Sequence, residues 1–409
     1  MIGATMFRIR STGIIAFLAA SVVVPLAGCD TTPRNQREAI IEYQTGDYSV
    51  SAQMLKANIA KKDENFVLNN VRFGSAAIAS GDLPGAEESF MAAYEVMNGV
   101  KTNDGGRTMG AAMVYEGIKV WKGEPFERAM AHYYLGMIFL LKNDYNNARA
   151  AFQNSLFKVR EYASKDDLEH YKEAESNFAL GYFGVGFCDL RMGKIDLAQA
   201  NFKKCVEIDP GLAQLCNDVQ KPSMNTLIFV DAGMGPHKEG KGWYNEESAF
   251  GPTPAEVGPI PPVFVTCDGG AVNDPKIPYA TVDTLAMAQQ QHWQDIDTLK
   301  KVKAVLGTGM MAAGTGMAAY GAHEHNEGMM WAGLGTAVAG ALVSASSTSD
   351  LRSWEMLPRT VYIVPAAIPP GQHTIMVQAG GSQSAPLQTV VRPKAPAQPS
   401  DNVYYFRLR

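Results

Sequence analysis

YYLGMIFLLKNDYNNARAAFQNS, residues 133–155, decides the fold. Gly136 is followed twelve residues on by Ala148, then four on by Phe152, then three on by the small residue Ser155. The turn Asn143-Asp144-Tyr145 lies between them, so Gly136 belongs to one helix and Ala148 and Phe152 to the next. The same spacing occurs at Gly74, Ala86, Phe90 and Ala93, and again at Gly186, Ala198, Phe202 and Cys205. Turns Gly81-Asp82-Leu83 and Gly193-Lys194-Ile195 occupy the equivalent gaps. Small residues belong where two helices cross closely, and a single aromatic per copy fills the seam. Three copies matching at four positions define an internal repeat of helix pairs.

This spacing resembles the tetratricopeptide repeat, including Pro210 eight residues after Phe202. A weaker copy precedes the three: Gly46-Asp47-Tyr48 lies 35 residues before Gly81, with Ser51 and Leu55 at the Ala and Phe positions. The stronger copies stand 62 and 50 residues apart, and the excess reads as a loop over Gly99 to Arg107 and an added helix over Thr108 to Val120. A helical repeat domain is therefore expected over 36–220. Stacked helix pairs form a superhelix with a concave groove, so the expected ligand is a protein or peptide lying in that groove.

The amino terminus reads as an export signal. Arg8 and Arg10 precede the apolar run Gly13 to Val24, which ends in Leu26-Ala27-Gly28-Cys29. Small residues ahead of a cysteine resemble a bacterial lipobox, in which the peptide is cut before the thiol that carries the lipid. Residues 1–28 are expected to be a lipoprotein signal peptide, Cys29 the lipidation (palmitate) site, and 29–35 a tether. The expected location is the periplasmic face of the inner or outer membrane, and Asp30 after the cysteine does not decide between them. Losing Arg8 and Arg10 takes the net charge from −5 to −7. A mildly acidic chain without a basic run has no footprint for nucleic acid. Cys188, Cys205, Cys216 and Cys267 could form disulfides after export, and their spacing fixes no pairing and matches no metal motif.

Beyond Pro210 the composition changes, and a mixed domain is expected over 221–409. Strands are expected at about 225–232, 260–266, 360–364, 373–378 and 403–408, from β-branched and aromatic content between Pro and Gly turns. Ser382 to Ser400 is Pro-rich and reads as a loop, and helices are expected over about 280–345. Two apolar segments, Ala304 to Ala322 and Gly328 to Ala345, flank the polar turn His323-Glu324-His325-Asn326-Glu327. Their Gly and Ala content suits either a membrane hairpin or a tightly packed helical hairpin. Each segment is near the minimum length to span, and the charged turn would have to cross, which favours packing. The fold class expected is α+β.

Two stretches carry a more specific resemblance. Gly123-Glu124-Pro125-Phe126-Glu127-Arg128 with His132-Tyr133-Tyr134-Leu135, and Asp350-Leu351-Arg352-Ser353-Trp354 with Leu357-Pro358 and Pro370-Gly371-Gln372-His373-Thr374, are similar to signatures of a family of bacterial tetratricopeptide-repeat lipoproteins. Val230 to Lys238 fits as well, with Asp231 where that family has Glu. The resemblance implies an envelope lipoprotein whose repeats precede a strand-containing domain. It brings no activity with it. Neighbouring regulators of cell-wall synthesis among such proteins suggest regulation of that synthesis as one alternative role. Membership of an envelope assembly or export complex through the Gly/Ala hairpin is another.

The sequence carries no recognisable catalytic motif. Gly233 to Gly242 contains Lys238 and Lys241 but no Gly-Lys-Ser/Thr, and neither a Gly-x-Ser-x-Gly elbow nor His-Glu-x-x-His occurs. His323 and His325 have no third ligand placed by sequence. Glu124, Glu127 and Arg128 read as helix-start charges, with Arg128 pairing one of the acids, and Arg352 with Trp354 as a clamp in which the Arg stacks on or beside the Trp. No enzyme activity, cofactor or metal is expected.

Overall fold

A computed structural model describes residues 33–98, 120–160, 178–241, 247–253, 258–274, 276–277, 279–289, 295–345, 350–393 and 401–409. Cys29, the leader 1–28 and the start of the tether lie outside them, as do 99–107 and all of the added helix except Val120. The chain divides into two compact units. One holds residues 240–249 and 295–351, and the other 32–239, 250–294 and 352–409.

The larger unit opens with four helix pairs: α1 (Arg34–Thr45) with α2 (Tyr48–Lys56), α3 (Phe66–Ser80) with α4 (Leu83–Asn98), α5 (Pro125–Leu141) with α6 (Tyr145–Arg160), and α7 (Ala179–Arg191) with α8 (Ile195–Ile208). Each repeat glycine lies under the aromatic of its own pair. A Cβ on Gly74 would meet the Phe90 ring at 2.7 Å, one on Gly136 the Phe152 ring at 2.7 Å, and one on Gly186 the Phe202 ring at 3.0 Å. Phe152 also packs on Gly184, so one ring ties its own pair to the next. Ala86, Ala148 and Ala198 are buried at the same crossings. Gly81 ends α3 at φ +88°, a left-handed cap, and Asn143 serves between α5 and α6 at φ +58°. Asp82 and Asp144 then accept the Gly85 and Asn147 amides at 3.0 and 3.1 Å, which starts the second helices. Pro210 opens a short 3-10 turn, Pro210–Leu212, leading into α9 (Ala213–Asp218).

Strands complete this unit. β1 (Thr226–Ala232) runs parallel to β11 (Asn402–Arg407) and antiparallel to β7 (Thr360–Ala366), which pairs in turn with β6 (Ala280–Asp283). A second sheet has the order β10 (Leu387–Val391), β8 (Gly371–Ala379), β4 (Val263–Cys267), β5 (Gly270–Ala271), with β9 (Ser382–Gln383) on β8. β2 (His237–Lys241) and β3 (Glu247–Gly251) are short, and α10 (Thr284–Gln289) follows β6. The architecture is α+β, as expected.

Packing divides the chain differently from the expected boundary at 220. Repeat helices and strands share one compact unit, and the Gly/Ala hairpin lies in the other. Two expectations about elements need correction. Residues 280–283 are strand rather than helix, because the β-branched Thr281 and Val282 complete the edge beside β7. The expected loop over 382–400 contains β10, whose Leu387-Gln388-Thr389-Val390-Val391 pairs with β8 between flanking prolines.

The smaller unit contains α11 (Asp295–His323) and α12 (Glu327–Ala345). Its helices meet backbone to backbone: a Cβ on Gly314 would lie 2.3 Å from the Ala337 amide nitrogen, and one on Gly333 2.3 Å from that of Ala318. Asn326 caps α12 by accepting the Met329 amide at 3.0 Å. Among the described residues no helix is long and apolar enough to cross a membrane.

Candidate functional site

The first helix of three pairs is buried all round: Phe66 to Ile78 in α3, Pro125 to Ile138 in α5 and Ala179 to Asp189 in α7. A helix buried on every side lies between two layers. The second helix of its pair covers one side. The chain's own strands and the segment Arg352 to Leu357 cover the other. Among the described residues, the first-helix side is thus covered by the protein's own residues.

Trp354 is the centre of this seal. Its indole is fully buried, 5.8 Å from the Phe90 ring and 5.6 Å from the Tyr134 ring, and its Nε1 donates to Ser75 Oγ at 3.0 Å. Arg352 anchors elsewhere, donating to the Glu64 carbonyl at 2.9 Å and to Asn65 Oδ1 at 3.0 Å. The Arg352 carbonyl accepts from Trp121 Nε1 at 3.1 Å. The two residues clamp at separate points. Beside buried Ser353, Glu355 binds the buried Arg72 guanidinium, with Nε to Oε2 at 2.9 Å.

Glu124 and Glu127 form a capping box at the start of α5, with Pro125 at its first position. Glu127 Oε2 accepts the Glu124 amide at 2.6 Å, and Oε1 accepts the Trp354 amide at 2.7 Å. One carboxyl group thus fastens both the helix start and the sealing segment. Burial, with a smaller contribution from the adjacent Glu124, raises its pKa to about 8 against the lowering effect of the two amide donors and Lys238. Glu124 pairs with Lys238 of β2. Arg128 is buried in the first turn of α5, and Phe126 meets Phe250 edge to face at 5.1 Å. Gly123 holds φ +78° just before the cap.

At the other end of the sheet, Arg407 of β11 donates to Tyr43 at 2.9 Å, to the Gly233 carbonyl at 2.6 Å and to the Leu408 carbonyl. Asp231 Oδ2 accepts from Tyr134 and from Tyr405 at 2.9 Å, while its Oδ1 has no hydrogen-bond partner among the described residues. Burial raises Asp231 to about 6 against the lowering effect of Arg407. Asp401 accepts from Arg191 at 2.7 Å and from Tyr145 at 2.9 Å, joining the start of β11 to α6 and α7. Sequence reasoning did not single out Arg72, Glu355, Asp401 or Arg407. Buried charges with partners hundreds of residues away leave no local spacing to detect.

The described cysteines are free thiols, with Cys188, Cys205 and Cys216 buried. Cys205 in α8 and Cys216 in α9 are hydrogen-bonded to each other. His323 and His325 lie in the exposed hairpin turn. Exposed apolar side chains on the repeats include Ile41 of α1, Val50 of α2, Phe157 of α6 and Ile195 and Leu197 of α8, each about half exposed. On the hairpin, Tyr320 and Trp331 are more than half exposed. A recess of about 480 Å³ opens between the sheets beside Met234, Ile260, Tyr362 and Arg409.

Residues 174–212, which span α7, α8 and the Pro210 turn, match the tetratricopeptide repeat family. No curated protein matches the chain. The chain contains a tetratricopeptide repeat within an array of helix pairs, an architecture of protein–protein interaction scaffolds.

Proposed function

We propose that this chain is a lipid-anchored scaffold of the cell envelope, tethered through Cys29, that docks a protein partner on the second-helix side of its repeats. The observation carrying the reading is the sealed first-helix side. With Trp354, β1 and β11 covering it, the half-exposed Ile195 and Leu197 of α8 are apolar residues open to a partner. Three of the stacked pairs are held by a Gly/Phe contact, which suits a platform whose surface is preformed. The leader Arg8 to Cys29 supports export and acylation, and the two signature stretches support the likeness to envelope lipoproteins.

Two measurements test this. Labelled palmitate should enter the wild-type chain and not Cys29→Ala. A photo-crosslinking residue at position 197 or 195 in living cells should yield a discrete adduct, absent when the same residue replaces buried Ser75. Equal adducts from all three positions would defeat the reading.

A second reading is favoured by the exposed Tyr320 and Trp331: a subunit of an envelope assembly that uses α11 and α12 as its contact. Crosslinks from position 331, with none from 195 or 197, would select it.

A further inference from the structure

Cys267, Asp268 and His373 place a thiol sulfur, a carboxylate oxygen and an imidazole nitrogen within 4.8 Å of one another. The three come from the β4–β5 turn and from β8, strands paired in register through Cys267 opposite Ile375. Asp268 and Gly269 hold φ +48° and +81°, both positive, as a two-residue hairpin of the primed kind requires. That turn brings Asp268 over the start of β8. Its Oδ1 accepts the Thr374 amide at 2.8 Å, and its own amide donates to the Thr374 carbonyl at 2.9 Å. The turn and its carboxylate are thus both tied to the Thr374 backbone.

The imidazole is oriented the same way. His373 Nε2 lies 2.8 Å from the Pro369 carbonyl, which can only accept, so Nε2 carries a hydrogen. Nδ1 then faces Asp268 Oδ2 at 2.7 Å. A carboxylate oxygen and the lone pair of Nδ1 cannot face each other at that distance without a positive centre between them, either a proton or a cation. A ring nitrogen turned to the ligand while the other donates to a carbonyl is the usual outer support of a metal-bound histidine.

We infer that Cys267, Asp268 and His373 form a binding site for a thiophilic divalent cation of the zinc class, with its fourth position open to solvent. Sulfur, nitrogen and oxygen donors together suit zinc rather than calcium or magnesium, which take oxygen sets. Zinc at its ordinary bond lengths spaces tetrahedral ligand atoms by roughly 3.3–3.7 Å. Nδ1 and Oδ2 therefore part by under an ångström as the ion enters, a shift within side-chain rotation. Binding displaces two protons per ion, one from the Cys267 thiol and one from between His373 and Asp268. Asp268 and His373 lie 105 residues apart, so no motif spacing exposes the set. The local signals are the hairpin pair Asp268-Gly269 beside a cysteine, and a histidine just after Pro369-Pro370-Gly371.

The test uses the full chain, stripped with a chelator and titrated with Zn²⁺ against a chromophoric competitor, with Co²⁺ as the spectroscopic probe. One ion per chain, a thiolate-to-cobalt charge-transfer band and release of two protons are expected. Cys267→Ser and His373→Ala should each weaken binding by more than about tenfold. Cys205→Ser should leave the band intact, which separates this site from the buried thiols. Circular dichroism of each variant reports that it folds. Zn²⁺ binding of equal strength in Cys267→Ser and wild type, or a cobalt complex without the charge-transfer band, would overturn the site.

Discussion

Replacing Trp354 with alanine removes the largest fully buried side chain of the seal. Truncating a buried Trp costs about 3–5 kcal/mol through lost transfer energy and the cavity left behind. Against a total stability of about 5–15 kcal/mol for a typical domain, that is a large share. Trp354→Phe should cost about 1–2 kcal/mol, because ring contacts with Phe90 and Tyr134 persist and one hydrogen bond is lost. Ser75 is not orphaned by that change, since its hydroxyl still donates to the Val71 carbonyl at 2.9 Å. Ser75→Ala is the sharper probe of the bond: it strands a buried indole N–H, at about 1–3 kcal/mol. Urea unfolding followed by far-ultraviolet circular dichroism gives the order, with Trp354→Ala lowest. Trp354→Ala should also bind more of a hydrophobic dye in the absence of urea, as the first-helix side opens. A Trp354→Ala midpoint coinciding with wild type, or a drop without new dye binding, would refute the claim that this side chain seals that face.

Gly136→Val should destabilise by about 1–3 kcal/mol, since its Cβ alone falls 2.7 Å from the Phe152 ring; the shift in urea midpoint reads it. Gly314→Val should separate α11 from α12, because the added carbon meets backbone rather than a side chain that can turn away; faster proteolysis near residues 323–327 is the readout. Stability should fall as pH rises from about 4.5 to about 8, because the unfolded chain sheds the Glu127 proton near 4.5 and the folded chain keeps it until about 8. Asp231 adds the same sign between 3.8 and about 6. Glu127→Gln should flatten the part of the slope above pH 6, measured as urea midpoints across the range.

Legibility in the sequence followed the range of the interactions. The Gly136, Ala148, Phe152 spacing is local, spanning one helical turn-around, so the repeats could be read from residues alone, and β1 stood out through the apolar run Leu227-Ile228-Phe229-Val230. Elements whose partners are distant were harder. β6 took a helical reading because Ala280 to Asp283 passes straight into helix-forming Leu285-Ala286-Met287, and only pairing with Val361 and Tyr362 makes it a strand. β10 was hidden among prolines for the same reason. Glu124 and Glu127 were legible as helix-start charges. The bond from Glu127 to the Trp354 amide was not, since 227 residues separate the two.

The sealed first-helix side also limits how a partner can bind. An external peptide reaching that face would have to displace Trp354, Arg407 and Asp401 together, each holding several buried bonds. The displaced segments are covalently part of the chain, so they compete at an effective concentration on the order of millimolar or above. A free peptide at micromolar concentration loses that competition unless it binds more than about a thousandfold tighter than the chain's own strands. Ile195 and Leu197 lie outside that seal. A partner that buries them gains apolar area without undoing the fold, so the second-helix side is where recognition costs least.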